Sequence, residues 1–288
     1  MKNKIVIFGA KGQLGTALCN LCEKENIDFK GFDFPDIDIT IPDTFQKKII
    51  DFKPDILINC AAYTDVYKAE EDLERSMLVN GLALKNLVKL CNDYNIYLCH
   101  ISTSYVFNGL KQTSYIETDN PNPINYYGIT KYVGEQIIIN YSRSYSIVRT
   151  ADLFGNSVNE SNNIVKKLIK LAQNNEIVKL VNDEYTSPTF AGNLAEQLLL
   201  IVENKLHGIL HATSKGHCNW VEFGKFIFNL LKLEVEIKEV NSSYFNTTLK
   251  KPNFSVLENF VLKKKGLNLM LNWKTALKDY LSKDFIKW

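Results

Sequence analysis

The sequence predicts an α/β fold: a Rossmann-type doubly wound parallel sheet joined to a smaller C-terminal α/β domain. Three observations carry that prediction. Ile5, Val6, Ile7 and Phe8 form a continuous apolar run, the pattern of a strand buried on both faces. Gly9, Gly12 and Gly15 follow at a spacing of three, and Leu14, Leu18 and Leu21 then recur at helical spacing. Further apolar runs and helical patterns alternate as far as residue 150, which implies right-handed crossovers between parallel strands.

Strand, glycine turn and helix in that order make a dinucleotide pocket, in which backbone N–H groups at the helix N-terminus meet a pyrophosphate. Gly9 allows the tight turn, Gly12 lets the backbone approach the phosphates, and Gly15 lets helix and strand pack closely. The spacing is G-x-x-G-x-x-G rather than the commoner G-x-G-x-x-G, and a glycine triplet alone would equally serve a tight turn without a ligand. Its place between a buried strand and a helix is what points to a nucleotide. Lys11, Gln13 and Leu14 lie in the same loop and join the glycines as candidate cofactor contacts.

Phe29–Asp33 reads as the second strand. Asp33 ends it at roughly the separation from the first glycine at which a carboxylate bonds an adenosine ribose, which favours NADH. Lys11 could instead face a 2′-phosphate and favour NADPH, so both cofactors stay open. A helix is expected near Pro42–Phe52, a third strand over Asp55–Ala62 and a long helical pattern through Leu78, Leu82, Leu87 and Leu90. Ile96–Ser102 is the fourth strand. Asn108–Asn125 is a polar, proline-bearing stretch without a period, long enough for a mobile flap over a site. Tyr126–Asn140 is helical, Tyr145–Arg149 a fifth strand, and Asn162–Gln173 and Phe190–Glu203 are helices flanking the strand Ile177–Val181. Gly208–Ala212 reads as a strand, Trp220–Leu231 as an amphipathic helix and Lys274–Phe285 as a closing helix. Residues 1–150, joined by about 177–203, are expected to form the nucleotide-binding domain. Residues 151–288 form the smaller, interleaved substrate-binding domain.

Composition sets bounds. A chain of 288 residues with 45% apolar and 23% charged residues is ordinary for a soluble globular protein. A net charge of +2 gives no reason to expect nucleic acid. From Phe245 onward there are nine lysines, which suit a solvated basic face or a site for a substrate diphosphate. The six cysteines are scattered, and Cys19 and Cys22 lie inside the first helix, so they read as reduced core residues. No signal peptide or membrane-length apolar run is found, and the protein is expected to be cytoplasmic, with no membrane partner.

Tyr127 and Lys131 are four apart on a predicted helix and so face the same way. A free phenol titrates near pKa ~10, and a neighbouring ammonium would lower that value, as a tyrosine acid/base requires. Thr103, at the end of the fourth strand, offers a hydroxyl to the same carbonyl oxygen.

Beyond these residues the chain resembles the extended short-chain dehydrogenases/reductases and, within them, the dTDP-4-dehydrorhamnose reductase family. The likeness runs nearly end to end. It is carried by GAKGQLG, Asp38-Ile39-Thr40, NCAAYTDV from Asn59, KAE at Lys68–Glu70 and Val79-Asn80. It continues through ISTSYVF from Ile101, NYYGITKYVGE from Asn125, Arg149-Thr150, Ser187-Pro188-Thr189 and KPNFSVL from Lys251. The resemblance implies that Thr103, Tyr127 and Lys131 are catalytic. It implies cofactor contacts at Asp38, Ile39, Ala61, Ala62, Tyr63 and Asn80, and substrate contacts at Ser104, Tyr105, Val106, Phe107, Asp152 and Lys251. It also implies NAD(P)H-dependent reduction of a nucleotide-activated 4-keto-6-deoxy sugar. Some members dimerise around magnesium; a homodimer is therefore open here, although no ligand set for a metal is identifiable. The related beta subunit of methionine adenosyltransferase keeps a non-catalytic regulatory role in view, against which the intact Thr103, Tyr127 and Lys131 argue.

Three departures bear on the substrate. Ser104 replaces the family's acid in S-T-D-Y-V-F, Asp152 replaces the aromatic of R-T-S/A-W, and Lys251 replaces an arginine, keeping charge but losing bidentate geometry. They leave the chemistry in place and point to a different sugar or nucleotide.

Overall fold

The computed structural model describes residues 3–158, 163–174, 177–245 and 247–282. The strands are β1 (Ile5–Phe8), β2 (Phe29–Phe32), β3 (Ile56–Asn59), β4 (Tyr97–Thr103), β5 (Tyr145–Thr150), β6 (Leu153–Phe154), β7 (Val178–Val181), β8 (Tyr185–Thr186), β9 (Thr189–Phe190), β10 (Gly208–His211), β11 (Cys218–Asn219) and β12 (Ile237–Val240). A six-stranded sheet has the order β10-β5-β4-β3-β1-β2, and every pairing in it is parallel. Side chains on a strand alternate between faces, and β1 divides accordingly. Ile5 and Ile7 pack with Leu14, Leu18 and Cys22 and with Leu194, Leu198 and Ile201. Val6 and Phe8 pack on the other face with Ile49, Leu84, Leu87, Val88, Ile137 and Ile138.

The first eight helices are α1 (Gln13–Lys24), α2 (Gln46–Phe52), α3 (Val66–Glu71), α4 (Leu73–Met77), α5 (Leu84–Asp93), α6 (Tyr126–Tyr141), α7 (Ile164–Gln173) and α8 (Ala191–Glu203); α1 and α8 cover one face of the sheet and α2, α5 and α6 the other. The expected long helix after β3 is broken into pieces. Asp65 and Asp72 each accept a backbone N–H three residues on, at 3.1 Å, and start α3 and α4 separately. A π-turn over Leu78–Leu82 then leads into α5. The third strand also ends earlier than its apolar run. The Asn59 side chain takes the Ala61 N–H at 3.1 Å, which removes a ladder donor and turns the chain out of the sheet.

A third apolar cluster gathers Phe154, Leu168, Val178, Phe223, Ile227, Trp273 and Tyr280. It draws on α7, β7 and two further helices, α9 (Trp220–Leu231) and α11 (Trp273–Tyr280), whereas α10 (Phe260–Lys264) packs against the main sheet through Leu262. Asn163 caps α7, while the anticipated start at Asn162 and the end of the last helix at Phe285 lie outside the described residues.

The stretch Asn108–Asn125, expected as a mobile flap, is instead strapped down. Tyr115 N donates to Val256 O at 2.9 Å, and Glu258 N donates to Tyr115 O at 2.8 Å. The Tyr115 ring stacks on Phe107 with centroids 4.2 Å apart, and Glu117 accepts from His211 N and Val261 N. The backbone of Tyr115 is satisfied by the C-terminal segment, a partnership that sequence periodicity does not register.

One buried ion pair ties the elements that carry the site. Arg149 of β5 donates from Nε to Glu135 Oε1 at 2.9 Å and from Nη2 to Oε2 at 2.6 Å. Ser102 of β4 adds its hydroxyl to Oε1 at 2.6 Å, and the guanidinium lies 5.1 Å over the Phe107 ring. Both charged side chains are essentially inaccessible to water. Glu135→Ala would strand the Arg149 charge, and we expect a loss of about 3–5 kcal/mol in chemical denaturation. The paired replacement Glu135→Leu with Arg149→Met should lose clearly less.

Candidate active site

The turn between β1 and α1 is open to an anion. Gly9 has φ +76°, and a Cβ there would lie 2.6 Å from Ala61 N. A Cβ on Gly15 would run into the Gly9 carbonyl oxygen, so strand and helix touch through bare backbone. At Gly12 a Cβ would meet only Gly9 O, 3.4 Å away. No side chain caps α1 and its first turn carries no acid, leaving the positive end of the helix free for a phosphate. Gln13 and Leu14 open the helix, with Leu14 turned into the core. These features fit a bound dinucleotide.

Asp33 stands just past β2, where its carboxylate accepts from Lys11 N at 2.6 Å and from Phe34 N at 2.8 Å. It thereby fixes the glycine loop. The Lys11 ammonium reaches outward and lies 3.8 Å from Asp36. Asp38 accepts from the Thr40 hydroxyl at 2.6 Å and from Arg75 at 3.0 Å. Burial opposes its charge, but those bonds hold its carboxyl below the usual range. Ile39 is in the core. After β3, Ala61, Ala62 and Tyr63 run past the turn. Asn80 is buried and clamps that run, accepting from Tyr63 N at 2.8 Å and donating to Tyr63 O and to the Thr130 hydroxyl, each at 3.1 Å.

The strand ends place the three residues expected to react. Thr103 closes β4, aligned with Thr150 of β5, and its hydroxyl is near enough to the Tyr127 phenol to favour its ionisation. Asn125 caps α6 by accepting from Gly128 N at 2.8 Å. Tyr127 therefore sits in the first turn and Lys131 one turn later. Burial pushes the phenol up to about 12, the Asp152 charge adds to that, and the Thr103 hydroxyl works against it.

The expected effect of Lys131 on Tyr127 is not what the structure holds. The lysine Nζ is buried and turned to the sheet, donating to Ile101 O at 2.6 Å and lying 3.2 Å from His100 Nε2. Burial lowers it to about 8, against smaller opposing effects of Glu135 and Cys60. A buried cation takes the nearest carbonyl, and here that belongs to β4.

Facing Tyr127 is a wall from the C-terminal half. Asp152 leaves β5 with φ +38°, and the Thr186 hydroxyl donates to its carboxylate. Burial raises the Asp152 carboxyl. Burial also raises Glu184, which the Lys251 charge and a bond from the Trp220 indole moderate. The Lys251 ammonium lies 5.1 Å over the Tyr67 ring. Tyr105 meets Tyr127 edge-on with centroids 6.1 Å apart. Of the expected substrate residues Ser104, Val106 and Phe107 are almost wholly buried. Val106 and Phe107 form a core patch with Tyr115 and Leu257, because the short 3₁₀ turn after Thr103 points them away from the cleft.

A family model described as RmlD substrate binding domain matches residues 2–285. The chain belongs to that family. It is 32% identical over 279 residues to a dTDP-4-keto-6-deoxy-D-glucose reductase of Streptomyces niveus, covering 96% of each chain. It is also 32% identical over 289 residues to a dTDP-4-dehydrorhamnose reductase of Aggregatibacter actinomycetemcomitans, covering 96% of this chain and 97% of the relative. A crystal structure of dTDP-4-dehydrorhamnose reductase from Bacillus anthracis in complex with NADP superimposes with a TM-score of 0.94. The two are 33% identical and each is covered in full.

Within this RmlD-family fold, Glu184, Thr186, Asn59 and His100 are the polar residues of the site that the sequence reading passed over. Glu184 and Thr186 lie in irregular sequence with no signal. His100 did carry one, as a single ionisable residue inside the apolar run of β4. Among the described residues no cluster of three or more His, Cys, Asp or Glu is placed to hold a metal, and no helix is long and apolar enough to cross a membrane.

The two titrations separate cleanly. Lys131 should lose its proton as pH rises through about 8, while the Tyr127 phenol stays protonated. NMR of ¹³Cε-labelled lysine should show one resonance with a midpoint near 8, absent in Lys131→Met.

Proposed function

We propose that the protein reduces the 4-keto group of a nucleotide-activated 6-deoxy sugar, using NADPH or NADH. The observation that carries this reading is the Thr103–Tyr127 pair with Lys131 at the C-terminal strand ends of the sheet whose β1–α1 turn offers an uncapped helix N-terminus. Gly9, Gly12, Gln13 and Leu14 would hold the cofactor pyrophosphate. Asp33, Lys11, Asp38 and Ile39 border its adenosine end, and Ala61, Ala62 and Tyr63 its middle, with Asn80 supporting them from behind. The bound dihydronicotinamide supplies the hydride.

The chain's own residues manage the proton. Tyr127, neutral throughout the working pH range because burial holds its proton, donates O–H to the carbonyl oxygen as that oxygen gains charge. Thr103 bonds the same region and steadies the phenolate that remains. Lys131, turned to the Ile101 carbonyl while no ligand is bound, is the cation available to that phenolate and to the nicotinamide ribose once both are present. Asp152 and Glu184 are the acceptors available to sugar hydroxyls, and Lys251, whose charge acts on both, is the cation available to a diphosphate. The work divides along the chain. Residues 1–150 with α8, inside 177–203, serve the cofactor, and most of 151–288 serves the sugar. Support for that division comes from α8 packing on α1 and from the separate apolar cluster around Phe223.

Replacing Tyr127 with Phe removes the proton donor, and turnover should fall on the order of 10²–10⁴ with cofactor affinity nearly unchanged. Near-normal turnover would end the assignment.

The substrate reading rests on Asp152. A carboxylate stands where the family carries an aromatic ring, and the family's acid is missing at the buried Ser104. Hydroxyls are therefore accepted from a different wall. We expect weak activity on dTDP-4-keto-L-rhamnose and a better substrate among related sugar nucleotides. Ser104→Asp combined with Asp152→Trp should shift preference toward the rhamnose precursor in a turnover screen. Ordinary efficiency of the unmodified protein on that precursor would show the two positions to be neutral.

A further inference from the structure

Lys131 is held by a buried hydrogen-bond chain whose proton positions can be deduced. Ala61 N–H donates to Asn59 Oδ1 at 3.1 Å, so that oxygen is committed and the Asn59 Nδ2 amide hydrogens face the ring of His100. Nδ2 lies 3.1 Å from His100 Nδ1. A donor already occupies that contact, so Nδ1 must be the acceptor, and a neutral imidazole then carries its hydrogen on Nε2. His100 is fully buried, and both burial and the nearby Lys131 charge keep it neutral, well below its ordinary value. The Nε2–H therefore points at Lys131 Nζ, 3.2 Å away.

An ammonium has three hydrogens to place and no capacity to accept. At this position it finds the Ile101 carbonyl and, in the ring, another donor. An amine fits better, giving one hydrogen to Ile101 O and receiving the Nε2–H on its lone pair. The other groups around Lys131 do not relieve the ammonium. Glu135 is committed to Arg149 and Ser102, Cys60 is a buried thiol whose pKa is raised by burial, and Tyr127 is a neutral phenol one turn away.

We propose that Asn59 and His100 are positioning residues that keep Lys131 short of acceptors until reaction partners arrive. Asn59 locks the imidazole tautomer, and the locked ring turns an N–H toward the lysine. When the Tyr127 phenolate and a ribose hydroxyl are present, the amine takes a proton from solvent and the ammonium finds in them the acceptors it lacked, so it is drawn to them rather than bound tightly to the sheet. Because Asn59 also accepts from Ala61, the lock is built on the same segment that borders the cofactor. This inference takes the role of Lys131 from the proposed reaction, but the test does not depend on turnover.

In the unmodified protein, ¹⁵N–¹³C correlation spectra of the histidine rings, with His100 identified by its loss in His100→Gln, should show a protonated Nε2 and a bare Nδ1. A protonated Nδ1 would overturn the proposal. Asn59→Asp keeps the oxygen that Ala61 needs but offers the ring a carboxylate, which draws the hydrogen to Nδ1 and frees Nε2 to accept from the ammonium. The Lys131 midpoint should then rise by about one pH unit or more. A folded variant with an unmoved midpoint would also refute the lock. Failure of the protein to reduce any 4-keto sugar would refute the proposed function and leave both spectroscopic results standing.

Discussion

The bidentate contact of Arg149 with Glu135 is the interaction on which the site's geometry depends. It joins the last turns of β5 to the middle of α6, and through Ser102 it reaches β4 as well. Thr103 follows Ser102, Lys131 lies one turn before Glu135, and Asp152 comes three residues after Arg149. One ion pair thus sets the separation of groups from three elements. Charges buried this deeply contribute little net stability when paired and cost much when separated. Their effect here is to exclude alternative seatings of α6 on the sheet. Glycine completes the constraint, since a Cβ on Gly134 would run into the Asn80 carbonyl of the π-turn.

The architecture was legible because a parallel sheet buried on both faces leaves few polar residues in its strands. β1, β3, β4 and β5 announce themselves as apolar runs, and each agrees with its expected position to within a few residues. The two-residue strands β6, β8, β9 and β11 left no trace, because pairs that short are set by what packs on them rather than by local pattern. The strap over 108–125 was misjudged for a related reason. Its anchors, Glu117 and Tyr115, find partners near residues 211 and 257, a distance along the chain that no window can span.

The site was legible unevenly. Tyr127 and Lys131 share a helix, so four-residue spacing was enough to bring them together. Spacing could not say where the lysine nitrogen would point, and it points to Ile101 and His100. The carboxylates beside Tyr105 come from two separate turns, after β5 and before β8. Their conjunction is a product of tertiary folding, and only Asp152 was marked in advance, as a departure from the family pattern.

Strand β10 has a consequence for how the chain can be divided. It arrives from residues 208–211, long after the first five strands, and lies parallel to β5, with Gly208 opposite Ser146 and His211 opposite Arg149. Without it, β5 would present a row of unpaired backbone groups beside an apolar surface, a template for joining another chain edge to edge. Residues 1–150 are consequently not a portable module. A ribosome that has released only that half has produced a sheet with a sticky margin, and the nascent chain stays vulnerable to self-association until the later strand emerges and seals it.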